Sequence, residues 1–76
     1  MDPRSEIQEL KKKIEVLEAE IQELKADLVA TDNPKERVTI RRQIVANTTR
    51  ITVLDTRITE NQKTINAATT TEGTIR

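Results

Sequence analysis

The chain has 76 residues, zero net charge from 13 basic and 13 acidic side chains, and no Phe, Trp, Tyr, Cys or His. That length allows one small domain at most. Without His or Cys there is no ordinary general base near neutral pH, no thiolate and no good zinc ligand set, and Ser5 is the only serine, so we expect no enzyme, no metal and no cofactor.

The first residues, Met1-Asp2-Pro3-Arg4, lack the apolar stretch of a signal peptide, and no apolar run approaches the ~20 residues needed to span a bilayer. A soluble protein, cytoplasmic by default, is the expectation.

Asp2-Pro3 gives an N-cap followed by proline at the first helical position, and Ser5-Glu6-Ile7-Gln8 offers a second start just behind it. Ile7, Leu10, Ile14, Leu17, Ile21, Leu24 and Leu28 then alternate three and four residues apart, which is a heptad seam. The intervening positions are rich in Glu, Lys and Ala and contain no glycine. A first helix is predicted over residues 4–30.

Thr31-Asp32-Asn33-Pro34 breaks the pattern, because proline lacks the N–H needed to continue a helix and pushes the preceding residue out of the α region. The turn is placed at 31–34. Asn33 can cap a new helix, Pro34 fits its first position, and Glu36 can return a bond to the Asn33 N–H as a capping box does.

The seam resumes with Ile40, Ile44, Asn47, Ile51, Leu54, Ile58, Asn61 and Ile65, which predicts a second helix over 34–66. Residues 67–76 have three consecutive threonines and no apolar period, so they are expected to fray into a flexible Thr-rich tail beyond a single hairpin domain at 1–66.

In an antiparallel pair the facing residue numbers sum to a constant. Leu28 with Ile40, Leu24 with Ile44, Ile21 with Asn47 and so on to Ile7 with Asn61 all sum to 68, whose midpoint falls on Pro34 inside the turn. For Ile65 the same sum reaches only Pro3, where the first helix begins. Residues 1–33 carry nine acidic and five basic groups, a net −4, and residues 34–76 carry four and eight, a net +4, which favours folding back. The fold class is therefore all-α, an antiparallel two-helix coiled-coil hairpin about 45 Å long. One hairpin alone buries little surface, so dimerisation into a four-helix bundle is expected.

Asn47 and Asn61 put amides on the seam opposite isoleucines, where they either meet a symmetry mate in a dimer or lie wet at a loose edge. On the back of the second helix Val38, Val45, Thr49, Thr52, Thr56 and Thr59 form a stripe interrupted by Arg42, a candidate second interface. Val16 and Val29 on the first helix stand alone.

Arg37, Arg41, Arg42, Arg50 and Arg57 make the second helix basic and raise nucleic-acid binding as a reading. Against it, no aromatic residue is available for stacking, and Arg50 and Arg57 occupy positions that can pair with Glu20 or Glu6. The apolar stripes are too narrow for a membrane surface. Thr48, Thr59 and Thr70 recur every eleven residues, a spacing that resembles type I antifreeze helices, but the alanine background of that class is missing.

Residues 5–66 resemble in a general way the short coiled-coil hairpins that sit beside other domains in larger proteins. The expected function is non-enzymatic protein–protein interaction, as a homo-oligomerisation or scaffold coiled coil with itself as the partner. A heterotypic adaptor segment of a larger protein is the alternative, and a nucleic-acid adaptor the lesser one.

Overall fold

The computed structural model describes the backbone of residues 2–75 and the side chains of residues 2–68. Two helices, α1 (Pro3–Ala30) and α2 (Pro34–Ile75), pack against each other. Arg37 bonds Leu28, and Asn47 bonds Glu20. The α1 partner moves back along the chain as the α2 residue moves forward, so the hairpin is antiparallel. Asn47 meets the neighbour of Ile21, the residue that the seam register sets level with it.

The N-terminus of α1 forms as its sequence specifies. Asp2 is extended (φ −61°, ψ 133°), its carboxylate accepts from the Arg4 N–H at 3.2 Å, and its carbonyl accepts from the Glu6 N–H at 3.0 Å. Pro3 occupies the first helical position, where no N–H is needed.

The turn closes without any residue at positive φ among the described residues. Thr31 leaves the helix in an extended conformation (φ −104°, ψ 137°) while its N–H still donates to the Asp27 carbonyl at 3.0 Å. The Asn33 side chain accepts from the Lys35 N–H at 3.0 Å and caps α2 as expected. Glu36 does not complete a capping box. The Asn33 N–H donates to Thr31 Oγ1 at 3.3 Å, and Glu36 Oε2 accepts from the Thr31 hydroxyl at 2.6 Å. Thr31 stands between the two groups that a capping box would join.

Helix α2 departs from the expected end at residue 66 and continues to Ile75. No proline or glycine interrupts residues 35–72, and threonine costs only about 0.7 kcal/mol or less per helical position relative to alanine. Thr69, Thr70 and Thr71 therefore lower the propensity without stopping the helix. The expected flexible tail falls on α2 backbone as far as Ile75, and its side chains from residue 69 on lie outside the described residues.

The molecule measures 64 × 17 × 15 Å, longer than the 45 Å expected of the hairpin. At about 1.5 Å per residue the 42 residues of α2 account for that length alone, whereas the 28 of α1 reach only about 42 Å. The outer part of α2 thus runs on past the start of α1.

Candidate functional site

All fifteen seam positions are buried or half-buried. Ile7, Leu10, Ile14, Ile21 and Asn47 are the most enclosed, with Leu10 at 3% exposure, while Leu17, Leu24, Leu28, Ile40, Ile44, Ile51, Leu54, Ile58, Asn61 and Ile65 are half-covered. Among the described residues no side chain is completely enclosed. Two helices can cover a seam from front and back only, so its flanks stay open to water.

Asn47 is buried to 6% exposure and satisfied within its own chain. Its Nδ2 donates across the seam to Glu20 Oε2 at 3.2 Å, and its Oδ1 accepts from Arg50 Nη1 at 3.0 Å. The anticipated Arg50–Glu20 pairing becomes a three-membered relay with Asn47 in the middle. Asn61 is half-buried, and no buried side-chain nitrogen or oxygen among the described residues lacks a bond.

The basic residues of α2 separate into distinct groups. Arg37 turns back on α1, where its Nη1 donates to the Leu28 carbonyl at 2.7 Å and the Thr31 carbonyl at 3.1 Å. These carbonyls belong to the end of α1, where the helical pattern leaves acceptors unpaired and a cation is favoured. Arg41 and Arg42 flank Val38, Val45 and Ala46 around a shallow depression of about 380 Å³. Arg50 and Arg57 line a separate groove on the hairpin's side.

Val38, Val45, Thr49, Thr52, Thr56 and Thr59 are all exposed, with Val45 at 65%. Thr49, Thr52, Thr56 and Thr59 each donate their hydroxyl to the carbonyl four residues earlier, at 3.0 to 3.1 Å. Thr39, Thr48 and Thr64 do the same. Each hydroxyl proton is held by the helix itself, which reduces the polarity that the threonine content would otherwise give this face.

Two grooves share one flank of the hairpin, both bordered by Arg50. The first, of about 630 Å³, has Val16, Leu17, Val53 and Leu54 on its floor and Lys12, Lys13, Arg50 and Arg57 around it. The second, of about 440 Å³ and nearer the turn, is lined by Leu24 and Ala46 with Glu20, Glu23 and Asp27 at its rim. Val16 is therefore no isolated surface valine. It faces the groove that Val53 borders from the other helix, and they are 59% and 50% exposed. Periodicity could not reveal this, because Val16 and Val53 lie outside the seam and become neighbours only once the register is fixed. Val29 joins neither groove.

Among the described residues no helix is long and apolar enough to cross a membrane. The chain matches no protein-family model, no curated protein and no solved structure.

Proposed function

We propose that this chain is a non-enzymatic protein–protein interaction module whose hairpin self-associates as a homodimer, completing a four-helix bundle that serves oligomerisation or scaffolding. The observation that carries this reading is the open seam: fifteen heptad positions lie between two helices, yet none is fully enclosed. Its accessible surface of 5960 Å² exceeds the ~4,700 Å² of a compact monomer of this mass by roughly 1,200 Å². That excess is larger than the ~800 Å² that each partner contributes to a standard stable interface.

Sedimentation over a wide concentration range, followed by refractive index because no Trp or Tyr is present, tests the reading. A species of twice 8.7 kDa is expected, and a folded monomer at every concentration would overturn it.

A second reading, the heterotypic adaptor, is supported by the exposed Val and Thr face of α2, whose self-bonded hydroxyls lower the cost of covering it with a foreign helix. The nucleic-acid reading loses support because Arg37 is committed to the α1 carbonyls.

A further inference from the structure

The two grooves on the shared flank carry opposite charge. The one floored by Val16, Leu17, Val53 and Leu54 is ringed by four cations and no carboxylate. The one holding Leu24 and Ala46 is rimmed by Glu20, Glu23 and Asp27, with Arg50 as its one cation. Measured along the rod, the first is centred near Glu15 and the second near Gln22 and Glu23, about 11 Å apart at 1.5 Å per residue.

From this spacing we infer that the flank is a self-complementary interface, occupied by a second copy of the chain related by a two-fold axis that crosses the rod at the level of Glu20 and Arg50. The inference rests on the homodimer reading and adds to it the face, the direction and the register.

A closed dimer must present the same patch from both copies. With a two-fold axis parallel to the rod, the basic groove of each copy would meet the basic groove of the other, with Lys12 and Lys13 facing the partner's Arg57, an arrangement like charges oppose. With the axis across the rod, the second copy runs the opposite way. The basic groove of each copy then meets the acidic groove of the other. Lys12 and Lys13 come level with the partner's Glu23 and Asp27, while Val16 and Val53 come level with the partner's Leu24 and Ala46. Apolar floors meet apolar floors, and the charged rims fix the register.

The size is adequate. From the axis to the turn is about 14 residues, so the overlap extends about 21 Å each way. Along a rod 15 to 17 Å wide this gives roughly 650 to 700 Å² from each copy, close to the ~800 Å² per partner of ordinary stable complexes. The product is an antiparallel four-helix bundle whose seams are covered on the flank that each hairpin leaves open.

Two double variants test it. Lys12→Glu with Lys13→Glu sets carboxylates opposite the partner's Glu23 and Asp27, and Glu23→Lys with Asp27→Lys sets cations opposite the partner's Lys12 and Lys13. All four side chains are exposed, and circular dichroism verifies that each variant remains helical. Each variant alone is expected to dimerise at least about ten-fold more weakly than the wild type, because like charges then face each other. Mixed in equal amounts, they are expected to form a one-to-one heterodimer, identified by a mass tag on one of them. All four changes in one chain should restore the homodimer.

A wild-type dimer that the double variants leave unchanged would overturn this interface while the homodimer reading stands. Variants that stay monomeric when mixed would also overturn it. A wild-type monomer at every concentration would overturn both, and binding of an acidic helical peptide to that monomer's basic groove would assign the groove to a foreign helix.

Discussion

Asn47 reaches across the seam to Glu20, 27 residues away in sequence, and its Nδ2 donates to Glu20 Oε2 at 3.2 Å. The bond fixes α2 against α1 at one level, and the Arg50 bond on the other side of the amide completes its hydrogen bonding inside a single chain. A buried amide satisfied in this way needs no symmetry mate, and its bond to Glu20 serves the hairpin's register.

Asn47→Leu is accordingly expected to stabilise the hairpin. Each lost hydrogen bond is to a charged group, worth ~1.5 to 3 kcal/mol when well formed and ~0.5 to 1 once discounted for the exposure of Glu20 and Arg50, and burying a leucine returns ~1.5 to 3. Glu20 and Arg50 are exposed and recover water. Thermal melts followed by circular dichroism should show a midpoint raised by about 5 °C with the oligomer distribution unchanged. A lowered midpoint, or a scrambled distribution, would mean that the amide does more than align the two helices.

Arg37 should contribute more to stability than an ordinary surface arginine. Arg37→Ala removes two charge-assisted bonds to the end of α1, each worth ~1.5 to 3 kcal/mol when well formed, and discounting for partial exposure leaves an expected loss of ~1 to 2. The melting midpoint should fall by about 5 to 10 °C. Arg41→Ala, which has neither carbonyl to bond, serves as the control and should change little.

The turn makes a finer distinction. Thr31→Ala loses both the bond to Glu36 and the bond from the Asn33 N–H, at a cost of ~1 kcal/mol, whereas Thr31→Ser keeps the hydroxyl. Equal destabilisation by both, measured in urea, would assign the effect to the lost methyl and refute the hydrogen-bonded turn.

On the back of α2, changing Thr52 and Thr56 together to valine should leave stability within ~0.5 kcal/mol of the wild type, because valine keeps the branched shape and the hydroxyls bond only their own backbone. A larger loss in the same urea titration would show that those hydroxyls have a partner beyond the helix.

Duplex DNA labelled with a fluorophore should show no saturable binding at micromolar protein in physiological salt, where even non-specific binders reach about 10⁻⁴ to 10⁻⁶ M. With Arg37 occupied, Arg41 and Arg42 are what remains of that cluster, and in the proposed dimer the Lys12, Lys13, Arg50 and Arg57 groove is taken up by the partner's carboxylates. Salt-sensitive binding in that range would reinstate the nucleic-acid adaptor.

The seam, both N-caps and the antiparallel register were legible in the sequence because each depends on spacing along one helix or on the position of one break. Asp2-Pro3 and Asn33-Pro34 announce helix starts through proline's missing N–H. The Thr31 network was not legible, since several polar residues in a short turn offer competing bonds and only geometry chooses among them. Arg37 read as part of a basic cluster for the same reason. Its reach to Leu28 depends on how tightly the chain reverses. Helix α2 runs beyond residue 66 because each of the three threonines carries only a small helix penalty, which composition alone does not weigh against the helix already formed. The grooves emerged only after folding, from valines that look unremarkable on either helix alone.

Charge is divided between the helices, −4 through residue 33 and +4 from residue 34, and the two lie side by side. The net difference between the helices therefore lies across the 15 to 17 Å width of the rod, while on the grooved flank the sign also changes along its length. Because the helices are antiparallel, their axial dipoles largely oppose each other. At physiological ionic strength fields fade over about 8 Å, roughly half that width, so an approaching molecule senses mainly the nearer edge. A neutral chain thus presents a net acidic helix to one side and a net basic helix to the other, a transverse dipole felt only at close range.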